Sequence, residues 1–346
     1  MYPFRNDYSY SAHPAVLSAI AACGGAPYIG YGQDGHCEHA ARLIRETFHC
    51  PNAMVEFCIG GTQVNLLTIA ALLRPWEGVI CADSGHINGH EAGAVEAAGH
   101  KLLPVPATPG GKLTVEAIAP LVDAHRDPHL VKPALVYISQ ATELGAVYTK
   151  AELTALSRFC HENGLKLFVD GARLGCAFAA DNCDLSPADL AALADAFTVG
   201  GTKNGALFGE ALVFSDGSLC PDFFRIKKQR GGVLAKGFLL GAQFEALFTD
   251  GLYWNIARHA VKLAGKLQDS LTALGVPLLC SSPTNQIFPV VADELLPALR
   301  KLAEFEVWSK PDDTHTAVRF VTCFATTEAD VDGLLSALRP LFRKGG

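Results

Sequence analysis

Between residues 53 and 215 the chain alternates short apolar runs with longer amphipathic stretches. The apolar runs cover 55–59, 79–82, 102–105, 134–138, 167–169, 197–199 and 211–214. They are four or five residues long at most, rich in β-branched and aromatic side chains, and predict strands. The stretches between them repeat their apolar positions every three to four residues. This predicts helices over 62–73, 91–98, 114–124 and 150–162, the last running into the stop signal Asn163-Gly164. Strand–helix alternation predicts an α/β fold with a mainly parallel central sheet and helices on both faces. Ligands of such sheets bind at the carboxyl ends of the strands, so those ends are where chemistry is to be sought.

Beyond about residue 235 the texture changes. A long helical pattern covers 252–274 and stops at Gly275. Shorter elements follow over 286–291, 295–302 and 317–322, with a final helix over 329–342. The pattern predicts a large domain over 21–248 and a small α/β domain over 249–346. Residues 1–20 are expected to associate with the small domain. A length of 346 residues agrees with two cores rather than one.

Composition removes several classes. The formal net charge of -7 gives no attraction for nucleic acid or an anionic membrane. Met1 to Asp7 has no apolar core of a signal peptide, and no run is long enough for a membrane helix, so the cytosol is the expected compartment. The 11 cysteines contain no Cys-x-x-Cys pair. Most, such as Cys58, Cys81, Cys160 and Cys323, lie in apolar segments and read as reduced, packed thiols.

Four features follow strands of the one sheet. Gly60-Gly61-Thr62 opens a helix, where free N–H groups suit an anion; glycine is also common at such turns for steric reasons. His86, in Ser84-Gly85-His86-Ile87-Asn88, could stack on a flat ring or move a proton; alone it would read as a loop residue. Asp170-Gly171-Ala172-Arg173 ends a strand with a carboxylate; alone it would read as a cap or an ion pair. Gly200-Gly201-Thr202-Lys203-Asn204-Gly205 holds one lysine among glycines, where burial would favour a neutral amine able to form a Schiff base; alone it would read as a surface turn. Together they supply a phosphate cradle, a stacking group, an acid for a ring nitrogen and a lysine. That set is what pyridoxal 5'-phosphate (PLP) needs. The other histidines, His39, His100, His161 and His259 among them, show no convergent partner. No Gly-x-Gly-x-x-Gly fingerprint follows the first strand, which argues against a dinucleotide dehydrogenase.

The order and wording of these motifs resemble the threonine aldolase and β-eliminating lyase family, which has the aspartate-aminotransferase fold. The resemblance runs from Phe4-Arg5-Asn6-Asp7 through Gly60-Gly61-Thr62-Gln63-x-Asn65, Gly85-His86-Ile87 with Glu91-x-Gly93, Asp170-Gly171-Ala172-Arg173-Leu174 and Gly201-Thr202-Lys203-Asn204-Gly205 to Arg319-Phe320-Val321-Thr322. It implies that Lys203 carries PLP and that Asp170 pairs with the pyridine nitrogen. His86 would stack on the ring and act as acid or base, while Gly61, Thr62 and Thr202 would hold the phosphate. Arg173 and Arg319, with Asn6, would face the substrate carboxylate or the ring oxygen. The resemblance also implies a homodimer or homotetramer with the site at a subunit interface, where the segment from Arg230 to Lys236 would reach the neighbouring phosphate.

Two departures stand out. Many threonine aldolases carry a histidine in Asn-Thr-His-Asn where this chain reads Gln140-Ala141-Thr142-Glu143, so Glu143 stands near that place. They also begin Arg-Ser-Asp where this chain has Arg5-Asn6-Asp7. The implied reaction is Cα–Cβ cleavage of a β-hydroxy-α-amino acid to glycine and an aldehyde, with His86 or Glu143 as the base. Alternatives on the same scaffold are β-elimination from serine, cysteine or an aromatic amino acid, transamination and racemisation. A protein that binds PLP without turnover is an alternative of another class, although it would not need Lys203.

Overall fold

The computed structural model describes residues 1–342, so the last four residues of the 249–346 segment lie outside it. All seven expected strands form, and they make one sheet: β1 (Met54–Cys58), β2 (Glu77–Ala82), β3 (Lys101–Val105), β4 (Lys132–Ser139), β5 (Lys166–Asp170), β6 (Ala196–Gly200) and β7 (Glu210–Phe214). Their spatial order is β1-β7-β6-β5-β4-β2-β3. Only β7 runs against its neighbours, pairing antiparallel with both β6 and β1. The remaining contacts, β6–β5–β4–β2–β3, are parallel.

Alternation along each strand divides its side chains between two faces. Ile80, Val136, Ile138, Leu167, Val169, Phe197, Val199 and Val213 enter one core with Ile44, Ile118, Leu153, Leu156, Leu190 and Phe244 from helices. Val79, Cys81, Leu135, Tyr137, Phe168, Leu212 and Phe214 enter the other with Val64, Leu67, Val95 and Phe223. Helices therefore cover both faces, as a parallel sheet requires. No helix of the described residues is long and apolar enough to cross a membrane.

A second, mostly antiparallel sheet centres on His315–Val321, flanked by Val290–Ala292 and Glu306–Ser309, with Gln286–Ile287 pairing beside it. Helix Leu252–Ala273 spans both cores. Tyr253 and Ile256 pack into the large one, and Leu263, Leu267 and Leu271 into the C-terminal one. The first residues join the C-terminal part: Tyr2–Pro3 pairs parallel with Ala303–Glu304, and Phe4 is fully buried against Phe320. Helix Pro14–Ala22, by contrast, buries Val16 in the large core.

One expected helix is corrected. The 91–98 stretch holds only the short helix Ala94–Ala97, preceded by a single turn at His86–Gly89. Ala92 and Gly93 have φ of 52° and 75°, a left-handed pair that no right-handed helix passes through. That kink leaves Glu91 buried. Helices at Pro14–Ala22, Gly35–Thr47, Pro187–Leu193, Phe223–Gln229 and Phe238–Phe248 add to those the periodicity predicted.

Candidate active site

Asp170 is the last residue of β5, and Lys203 sits in the single turn Thr202–Asn204 that follows the adjacent β6. Two glycines let these strand ends meet. A Cβ on Gly171 would lie 1.9 Å from the Thr198 carbonyl oxygen, and one on Gly200 would lie 2.3 Å from that of Ala172. Asp170 is buried. Its Oδ2 accepts from the Tyr137 hydroxyl at 2.6 Å and the Asn65 amide at 3.0 Å, and its Oδ1 accepts from Ala172 N at 2.9 Å. Burial lowers the Lys203 pKa, with Arg173 acting the same way against the attraction of Asp7, Asp170 and Glu210. Behind the lysine, Glu210 accepts from Gly201 N at 2.8 Å; burial pushes this carboxyl up to about 7.

His86 stands just past β2. Its backbone N–H donates to Glu143 Oε1 at 2.9 Å, and its ring Nδ1 lies 2.8 Å from Glu91 Oε1. Glu91 Oε1 also accepts from Asn65 Nδ2 at 2.8 Å. Glu143 accepts from the Ser139 hydroxyl at 2.8 Å, and burial raises its pKa.

Helix Gly61–Leu72 starts at the carboxyl end of β1. Gly60 and Gly61 have ordinary φ, and a Cβ on either would meet no atom of the described residues within 4 Å beyond its own chain neighbours and helix backbone. Internal packing therefore does not explain these glycines, and the space over the helix N-terminus is open. Thr62 is exposed there. Thr202 is half-buried, and its hydroxyl oxygen accepts from Gly209 N at 3.0 Å.

The two arginines differ. Arg173 donates through Nε and Nη2 to both oxygens of the buried Asp7, at 2.7 and 3.0 Å, so two of its three nitrogens are engaged before any ligand arrives. Burial alone would raise the Asp7 pKa, but Arg173 and Lys203, with hydrogen bonds from Arg173 and Asn285, hold it low. Arg319 is freer. Its Nη1 donates to Gln286 at 3.3 Å, its buried Nε has no partner among the described residues, and its guanidinium lies 5.2 Å from the Trp308 ring. Asn6 spends its side-chain oxygen on Tyr8 N and the Ser9 hydroxyl. Lys236 is exposed.

These groups open onto two adjoining cavities. The outer, about 480 Å³, is lined by Tyr8, His86, His90, Glu143, Arg173, Lys203, Glu306, Val307, Trp308 and Arg319. The inner, about 50 Å³, is lined by Gly61, Asn65, His86, Ser139, Ala141, Thr142, Glu143, Asp170, Ala172, Arg173 and Lys203. Gly61, His86, Glu143, Asp170, Arg173, Lys203 and Arg319 thus converge, whereas Asn6, Thr62, Thr202 and Lys236 line neither cavity. Composition gave no sign of Asp7, Asn65, Glu91, Tyr137 or Glu210 as members of this network. Asn65 and Glu91 fall inside the matching motifs, and Asp7 beside Asn6, which is the signal that could have found them. His39, unpartnered in the sequence reading, shares Glu245 with His36. All eleven cysteines are free, and burial pushes thiols such as Cys58 and Cys160 up to about 12, far from a nucleophile's range.

Comparison with known proteins agrees with this architecture. A low-specificity L-threonine aldolase of Pseudomonas aeruginosa is 35% identical over 302 residues, 86% of each chain. The structure of a threonine aldolase from Leishmania major superposes with a TM-score of 0.97 at 43% identity, covering 99% of this chain and 100% of that one. An aspartate aminotransferase of Thermus thermophilus, 16% identical, shares the fold with a TM-score of 0.70 over 99% of this chain and 91% of its own. The model of the β-eliminating lyase family matches residues 18–294, and the chain belongs to that family of enzymes.

Proposed function

We propose that the chain is a PLP-dependent aldehyde-lyase that cleaves the Cα–Cβ bond of β-hydroxy-α-amino acids to glycine and an aldehyde, as its low-specificity threonine aldolase relatives are named for. The observation that carries the proposal is Lys203 and Asp170 on adjacent strand ends, opening with His86 and Arg173 onto one cavity.

The residues fit PLP. The open space over Gly60 and Gly61 suits a phosphate at a helix N-terminus, with Thr62 and Thr202 as neighbouring hydroxyl donors. The lowered pKa of Lys203 favours the neutral amine that would hold the cofactor covalently. Asp170, fixed by Tyr137 and Asn65, would hold a proton on the ring nitrogen. When bound, PLP supplies the electron sink for the pair released by Cα–Cβ cleavage.

The chain's own groups do the rest. Arg319 offers free N–H donors to a substrate carboxylate beside Trp308, and Arg173, held by Asp7, presents its remaining nitrogen. Glu143 and His86, adjacent on the wall of both cavities, are the groups in position to take the β-hydroxyl proton. The raised pKa of Glu143 makes its carboxylate a stronger base than an exposed glutamate. The exposed Lys236 and exposed Ile29, Tyr31 and Ile59 support a homo-oligomer in which a second copy closes the phosphate side.

The test is the absorbance spectrum of the purified protein followed by product analysis. We expect a PLP band that is lost in Lys203→Ala, and glycine with acetaldehyde from allo-threonine. Pyruvate from serine without glycine from allo-threonine would replace aldol cleavage by β-elimination. An active Lys203→Ala protein would refute the assignment.

A further inference from the structure

We infer that Glu91 is a positioning residue of this site: through His86 Nδ1 and the Asn65 amide it fixes the tautomer of the His86 ring and couples that ring to Asp170. The inference rests on the reading of the cavity as a PLP site and concerns Glu91 and Asn65, which the shared motifs contain without giving them a role.

The side chain of Glu91 is completely withdrawn from solvent. A carboxylate so placed is costly unless a cation or several donors compensate it. Among the described residues no lysine or arginine pairs with it, and the one basic side chain beside it is His86, at 2.8 Å. Both of its hydrogen bonds converge on Oε1, while Oε2 is buried without a partner. Fold stability alone gives no reason to keep such a group. A left-handed kink at Ala92 and Gly93 nevertheless turns it inward, at the position where periodicity predicted the start of a helix.

The geometry supplies a reason. The Asn65 nitrogen carries two hydrogens, one donated to Glu91 at 2.8 Å and the other to Asp170 at 3.0 Å. An amide thus joins two buried carboxylates without adding charge between them. A carboxylate at Glu91 can only accept, so the hydrogen of the neutral His86 ring sits on Nδ1. The Nε2 lone pair, which has no partner among the described residues, is then left to act as the base. Tyr137, Asp170, Asn65, Glu91 and His86 form one hydrogen-bonded chain, in which the Asn65 amide holds Asp170 directly and His86 by way of Glu91.

The test compares wild type with Glu91→Gln, Glu91→Ala and Asn65→Asp. Ring ¹⁵N chemical shifts of labelled histidine, with His86→Asn to assign the signal, report the tautomer without reference to turnover. We expect the Nδ1–H form in wild type and a mixture in Glu91→Gln, whose amide can either donate or accept. With allo-threonine, kcat of Glu91→Gln falls about tenfold while KM changes less than twofold. Asn65→Asp, which puts a third carboxyl in the network, weakens PLP retention in a titration followed by absorbance. An unchanged tautomer together with unchanged kcat in folded Glu91→Gln overturns the inference. Glu91→Gln preserves the side-chain volume, so the test stands even if Glu91→Ala does not fold. Should wild type fail to take up PLP, the functional reading falls, while the tautomer experiment still decides the role of Glu91.

Discussion

At the scale of single residues, two carboxyls with raised pKa lie near the same lysine and do different work. Glu143 faces the cavity. Its basic form appears as pH rises through its raised pKa, so activity that depends on it falls on the acid side. Glu143→Gln is expected to lower kcat for aldol cleavage about 10²-fold, to flatten the acid limb of the pH profile and to leave PLP binding nearly unchanged; wild-type kinetics would remove it from the mechanism. Glu210 faces the turn that carries Lys203. Its folded pKa of about 7 lies above the ordinary 4.5, so its contribution to stability is fully present below about 4.5 and lost as pH rises through 7. The loss at pH 8 is on the order of 3 kcal/mol. Denaturation midpoints of wild type at pH 5 and 8 should diverge more than those of Glu210→Gln, which keeps the acceptor for Gly201 N. Equal pH dependence in the two proteins would contradict this.

At the scale of elements, the glycines at the ends of β5 and β6 act as spacers. A methyl group at position 171 would press on the Thr198 carbonyl and part the strand ends that carry Asp170 and Lys203. Gly171→Ala is expected to cost about 3 kcal/mol in urea unfolding and to reduce PLP content of the purified protein; a stable variant with full PLP content would show that the strands yield easily. The sheet was legible because each buried strand is a short apolar run between turn residues, and the strand-end rule then gathered Lys203, Asp170 and His86. What periodicity could not show was the inward turn of Glu91, because a left-handed pair after an apparently helical start is a tertiary decision. Helix Phe238–Phe248 was invisible for a related reason: it buries Leu240, Ala242, Phe244 and Leu247 on several sides and has no polar stripe to mark its period. The engagement of Arg173 was also unreadable, since Asp7 lies 166 residues away in the chain.

At the scale of the whole molecule, Asp7 pins three parts together. It holds Arg173 at the end of β5 and accepts from Asn285 at 2.9 Å, whose amide also bonds the Thr322 carbonyl. Its own segment is anchored by Phe4, whose carbonyl accepts from Val321 N. Asp7→Asn leaves Arg173, whose side chain is 11% exposed, uncompensated and is expected to destabilise by about 3 kcal/mol and to raise KM for the amino acid. Because the carboxyl pKa of Asp7 is lowered, this contribution is present above about 3.8 and fails only as pH drops through the lower folded value. Urea midpoints at pH 7 and pH 3 check both statements; a variant as stable as wild type at pH 7 would show that the pin carries no load.

The outer cavity takes one wall from elsewhere. Glu306, Val307 and Trp308 belong to Glu306–Ser309, an edge strand of the second sheet, and Tyr8 comes from the N-terminal segment. Neither touches the ladder spacing of about 4.8 Å that separates the strands bearing Asp170 and Lys203. In the proposed reading, the groups that break the bond and the side chains at the entrance therefore stand on separate scaffolds. An engineer could recut the entrance at Val307 for bulkier aldehydes while Lys203, Asp170 and Glu143 keep their places.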